Sequence, residues 1–299
     1  MKIRHPTEAD APTVVDLIRA EELDIVGEPE QTEQELRDEW SVLDLERDVW
    51  LIELDGRLAG CGALATHARP LAIGNVHPQF RGRGIGAQLV DLVEEEARDR
   101  GLPRLQIRVF AADERAHDLL HRRGYHEVRR YHRMMIELDA PPEPPALPDG
   151  LRFDDFDADR DARAFHAAQQ EAFADHWEHR PRTFDEWRSY HLDDKRFEPA
   201  LWCVVRDGDE IAAGAIDVAG LYGGGWVSVL FTRRQWRGRG VGGAVLQEAF
   251  RRLWSHGERS IGLGVDAGSD TGAFRLYERA GMHPVLGWLM HEKGLADAP

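Results

Sequence analysis

Apolar residues recur at helical spacing behind two glycine-rich turns, at Ile85, Leu89, Leu92 and Val93 and again at Val241, Val245, Leu246, Phe250 and Leu253. Both stretches predict amphipathic helices. The signals around them repeat in the same order. A short strand (residues 2–4; 151–153) leads through an acidic stretch into a first helix. A second helical stretch (33–43; 183–192) then precedes strands at 49–53 and 201–206. Asp55-Gly56 and Asp207-Gly208 have the turn chemistry of antiparallel hairpins. A strand ending near Val76 or Phe231 runs into the glycine turn, and after its helix come a strand (105–109; 260–265) and another helix (114–122; 272–279). Gly124 and Gly281 stand where those last helices should stop, and each half closes with strand-like sequence.

The pattern therefore predicts one α+β fold written twice: two tandem domains, each a mixed, mostly antiparallel sheet flanked by helices. The 299 residues, 42% of them hydrophobic, suffice for two cores. Residues 139–150 read DAPPEPPALPDG, which neither a helix nor an inner strand could cross. The expected division is a domain over 1–140, a proline-rich linker over 141–149 and a second domain over 150–299.

Charge narrows the partners. With 38 basic against 54 acidic side chains the net charge is −16, which repels nucleic-acid backbones. No apolar run approaches the ~18 residues of a membrane span. The first residues carry charges where a signal peptide would be apolar, so a cytoplasmic protein is expected. Cys61 and Cys203 lack the neighbours of a metal cluster and read as buried free thiols. No metal is implied, and oligomeric state is not legible.

The turns themselves are basic. RGRGIG starts at Arg81 and RGRGVG at Arg237, each opening a helix whose first N–H groups and positive dipole end suit a diphosphate. A Walker loop would need Lys and then Ser or Thr behind the last glycine, where Ala87 and Gly243 stand instead. A dinucleotide fold would place its turn after the first strand of a parallel unit, whereas these follow a hairpin.

The pattern of Arg, two residues, Gly, one residue, Gly resembles the acyl-coenzyme A loop of the GNAT N-acetyltransferase superfamily. Arg81, Gly84 and Gly86 match it once, and Arg237, Gly240 and Gly242 again. The second copy continues into GVDAGSDTGAFRLYERAGM, similar to the family's Leu-Tyr-Glu-Arg segment. The tandem layout resembles the mycothiol synthase group, whose acceptor is an amino group on a cysteine-containing pseudodisaccharide.

The resemblance implies acetyl-coenzyme A as cofactor and a small-molecule primary amine as acceptor. In the second half the diphosphate would lie on Arg237, Gly238, Arg239, Gly240, Val241, Gly242 and Gly243, and the pantetheine arm along Leu230, Phe231 and Thr232. In the first half, Val76 and Arg81, Gly82, Arg83, Gly84, Ile85 and Gly86 would play those parts. Tyr277 matches the family tyrosine that protonates the departing sulfur. Setting Gly124 against Gly281 puts Leu120 opposite Tyr277, and neighbouring His121 points about 100° away around a helix; the first half is therefore expected to be non-catalytic. Where the family often has Asn, this chain has Asp270 and Asp113. The acceptor wall should fall in the segment holding Glu171, Phe173, Asp175, His176, Trp177 and Glu178, with His176 a possible base. Two other readings remain open: a peptide N-terminal acetyltransferase, and an acetyl-coenzyme A binding or sensing protein without turnover.

Overall fold

The computed structural model describes residues 1–66, 69–269 and 272–295. In chain order the elements are β1 (Lys2–Arg4), α1 (Ala11–Val26), α2 (Glu33–Trp40), α3 (Leu45–Asp48), β2 (Val49–Leu54), β3 (Arg57–Ala65), β4 (Leu71–Val76), α4 (Ile85–Asp99), β5 (Arg104–Phe110), α5 (Glu114–Arg122) and β6 (His126–Glu137). There follow β7 (Leu151–Asp155), α6 (Ala158–Phe173), α7 (Phe184–His191), β8 (Cys203–Asp207), β9 (Glu210–Leu221), β10 (Gly224–Thr232), α8 (Val241–Ser255), β11 (Ser260–Asp266), α9 (Ala273–Arg279) and β12 (His283–Gly294).

Two compact units result. The first comprises Met1–Tyr131 and Leu286–Pro299, the second His132–Val285. Each is α+β, a mixed and mostly antiparallel sheet with helices against it. The first unit's sheet runs β1-β2-β3-β4-β5 and ends on β12, whose Trp288–Gly294 stretch pairs antiparallel with Phe110–Arg104. The second runs β7-β8-β9-β10-β11 and ends on β6. The closing strand of the first unit thus comes from the far end of the chain, and that of the second from ahead of the proline-rich segment.

Local chemistry fixes the repeated elements. Asp55 and Gly56 take φ of 55° and 75°, the left-handed pair that a tight hairpin turn between β2 and β3 requires. α2 and α7 both open on a capping box, Thr32 with Glu35 and Thr183 with Glu186. On the buried face of α8, Val241, Val245, Leu246, Phe250 and Leu253 enter the second unit's core, each stabilising by roughly 1.5–3 kcal/mol. Phe165 of α6 lies so close on β9 that a β-carbon at Gly214 would stand 2.6 Å from its ring. Cys61 and Cys203 are buried and unpaired, and burial pushes both thiols up.

One departure from sheet regularity matters for chemistry. Parallel neighbours touch only briefly: β4 meets β5 at Leu71–Gln106 and Ala72–Ile107, and β10 meets β11 at Gly225–Ile261 and Trp226–Gly262. Beyond those pairs β4 and β10 continue to Val76 and Thr232 against β3 and β9 alone. Each unit therefore has a strand with a free main-chain edge leading straight to its glycine turn.

Candidate active site

In both turns the glycines set the backbone. Gly82 and Gly238 have φ of 74°, and Gly84 and Gly240 have 81° and 83°, a left-handed alternation that an L side chain would strain. Gly84 and Gly240 then sit at the N-caps of α4 and α8, and a glycine has no side chain with which to cap a helix. Among the described residues no acceptor reaches the amides of Val241, Gly242 and Gly243, or those of Ile85, Gly86 and Ala87. Three outward N–H groups and a helix dipole form a cradle for an anion.

Gly242 lies beside β10 and α9, since a β-carbon there would be in ordinary contact with Thr232 Oγ1 at 3.4 Å and Leu276 at 3.8 Å. The cradle thus opens directly beside the free end of β10 and the start of α9. A diphosphate carrying an extended arm fits this arrangement of donors in its chemistry.

The arginines divide their labour differently from expectation. Arg237 is not aimed at the cradle: its Nε donates to the carbonyl of Thr232 at 3.0 Å and its Nη2 to that of Ala172 at 2.7 Å, with Nη1 3.7 Å from Asp175. It braces the turn, while exposed Arg239 has no partner among the described residues and is the available cation. Asp175, expected at the acceptor wall, is ion-paired to Arg234 and so held below its usual range. In the first unit Arg81 pairs with Asp24 through Nη1, while its buried Nη2 has no partner among the described residues. Arg83 lies 3.6 Å from Asp55 and over the ring of Phe80.

Tyr277 sits on α9 with only 8% of its surface exposed, and its hydroxyl has no hydrogen-bond partner among the described residues. Burial pushes its pKa up to about 12, so it keeps its proton at neutral pH and can give it away. Leu120 occupies the matching place on α5, 2% exposed. Tyr125 in the same unit is no substitute, because its hydroxyl is bonded to Glu94 in the core at 3.1 Å. His176 packs edge-on against Phe173 with ring centroids 4.4 Å apart, and burial, then His179 and Arg237, push its pKa down; it is a neutral imidazole able to take a proton. Trp177 follows it in the same irregular segment. Asp270 lies outside the described residues, while Asp113 caps α5 by accepting from the amide of Ala116 at 3.1 Å.

The first unit holds a cavity of about 360 Å³ along the free edge of β4, running from Arg81, Gly82 and Gly84 past Val76 and Gly86 to Val90, Ile107 and Leu120. Its lining includes Glu21 of α1, a residue the hydrophobic pattern did not single out. Among the described residues, no helix is long and apolar enough to cross a membrane, and no three metal-binding side chains are grouped to hold an ion.

A strand with a free edge, a left-handed glycine turn and an uncapped helix thus recur in both units, the frame of an acyltransferase fold. The sequence matches the Acetyltransferase (GNAT) family over residues 13–125 and again over 154–282. The mycothiol acetyltransferase of Nocardiopsis dassonvillei is 31% identical over 273 residues, covering 82% of this chain and 81% of its own. The crystal structure of a GCN5-related N-acetyltransferase from Sphaerobacter thermophilus superposes with a TM-score of 0.86 at 34% identity, over 98% of this chain and 95% of that one. A tandem GNAT protein from the clavulanic acid biosynthesis pathway shares the fold at a TM-score of 0.75 and 15% identity, over 99% and 98%. The chain belongs to the GNAT acetyltransferase family, in tandem form, and is an acetyl-transferring acyltransferase.

Proposed function

We propose that the second unit transfers acetyl from acetyl-coenzyme A to a primary amine of a small molecule by direct attack. The observation that carries this reading is the uncapped start of α8 beside the free end of β10, with a protonated, unpartnered Tyr277 on the adjoining helix. Bound acetyl-coenzyme A would supply an activated thioester. The amides of Val241, Gly242 and Gly243, with Arg239, hold the diphosphate. Main-chain groups of Leu230, Phe231 and Thr232 align the arm and polarise the carbonyl. His176 would take the proton that an ammonium acceptor must lose, and the Tyr277 hydroxyl would give one to the departing sulfur as the C–S bond breaks and recover one from the newly acylated nitrogen. Phe173 and Trp177 supply apolar wall for the acceptor. The first unit keeps the anion cradle from Arg81 to Gly86 but has Leu120 where the acid would be, and is non-catalytic.

The test is release of free coenzyme A thiol against a panel of amines. The name of the N. dassonvillei relative puts a mycothiol-type acceptor first on that panel, followed by amino sugars, polyamines and peptide N-termini. Release with a small amine supports the proposal. Tight coenzyme binding without release for any amine would replace it with a sensing role.

A further inference from the structure

In the first unit a carboxylate already occupies the ground that a coenzyme arm would need. Glu21, 6% exposed and lining the cavity, reaches from α1 to the end of β4, where Oε1 accepts from the amide of Val76 at 2.8 Å and Oε2 from Asn75 Nδ2 at 2.7 Å. The Val76 amide is the last main-chain donor on β4's free edge before the turn. Counting from the aspartates that accept from the amide where each helical segment begins, Asp10 from Thr7 and Asp161 from Asp157, the second unit has Ala172 in this place. A methyl group cannot reach a strand edge, and no carboxylate is bonded to the amides of Phe231 or Thr232 among the described residues.

The geometry points to Glu21 as a built-in occupant of the first unit's coenzyme groove, so that coenzyme loads in the second unit alone while that carboxylate holds Val76. The inference rests on the reading of the glycine turns as coenzyme cradles. The unit keeps every other requirement: three uncapped amides, the orphaned Nη2 of Arg81 and a cavity of about 360 Å³. An arm amide seeking the Val76 N–H must displace an anion bonded to two donors, and exchanging such a charge-assisted bond for a neutral one is unfavourable. Burial pushes the Glu21 carboxyl up to about 7. Asp113 at the start of α5 raises it further and Arg81 on the turn opposes this; Arg115 and Arg122 of α5 also line the cavity, Asp24 on α1 is paired to Arg81, and Cys61 on β3 is a neutral thiol. The block should therefore weaken in mild acid.

Calorimetric titration of the full chain with coenzyme A at pH 8.5 tests this. Wild type should bind one equivalent and Glu21→Ala two. At pH 6 the wild type should gain its second site, which keeps the proposal testable if the variant fails to fold. Two equivalents for wild type at pH 8.5, or one for a folded Glu21→Ala at every pH, would overturn it. A wild type that binds none while Glu21→Ala binds one would sustain this role and instead overturn the coenzyme site of the second unit.

Discussion

Arg237 Nη2 donates to the main-chain carbonyl of Ala172 at 2.7 Å, so the first residue of the second glycine turn is tied to the last turn of α6. Its Nε simultaneously holds the carbonyl that ends β10. One planar cation thereby fixes where helix, strand and turn meet. A lysine carries the same charge but cannot hold two carbonyls in a fixed fork. Arg237→Lys should lose on the order of 1–3 kcal/mol of stability and bind coenzyme A several-fold more weakly, read by thermal unfolding and calorimetry. Weaker binding with unchanged unfolding would mean that the guanidinium contacts the ligand instead.

Tyr277→Phe preserves a ring that is packed in the core and removes only the hydroxyl. Acetyl transfer should fall about 10²–10⁴-fold in kcat, while the dissociation constant of coenzyme A stays within about threefold. Steady-state kinetics beside direct titration separates the two, and an undiminished kcat would take the phenol out of the mechanism.

Asp217 on β9 is fully buried, and neither carboxylate oxygen has a partner among the described residues. Burial pushes its pKa well up; Arg252 opposes this and Glu248 adds to it. The folded protein thus keeps a proton that the unfolded chain releases above about pH 4. Stability should fall as pH rises through that window, and Asp217→Val should flatten the slope and gain on the order of 1–3 kcal/mol at pH 7. Denaturant melts at pH 5 and pH 8 measure both; a variant less stable than wild type at both would refute the account.

His291 on β12 is 1% exposed, with its ring centroid 5.1 Å from that of His117 and 5.6 Å from that of His121. Burial, then those two imidazoles, lower its pKa to about 4. A folded-state pKa below the unfolded ~6.5 means stability that is intact above pH 6.5 and lost as pH falls towards 4. The loss is of order 3 kcal/mol. Unfolding midpoints across that range should decline less steeply in His291→Phe, and an unchanged acid slope would assign the sensitivity elsewhere.

How far the sequence spoke depended on whether the determinant was local. The helices from Ile85 and Val241, the hairpin at Asp55-Gly56 and the uncapped helix starts are each set by neighbouring residues, so periodicity and turn chemistry revealed them. The bonds of Arg237 to Ala172 and of Asp175 to Arg234 are not legible in the sequence, because those partners are brought together only by folding. Glu21 was invisible for the same reason, being one acid among 54 until β4 arrives above it. Strand-like sequence at the end of each half was legible, but alternation of side chains does not name the strand it will pair with. β12 completes the first unit rather than extending its own half.

That pairing has a consequence for biosynthesis. While the ribosome is still making residues 286–294, the exposed side of Arg104–Phe110 has no partner, and the earlier part of the protein must wait through the production of everything after it. A nascent chain stalled before Trp288 should remain sensitive to proteases around Arg104–Phe110, and a chaperone that shields a bare strand edge would find its client there.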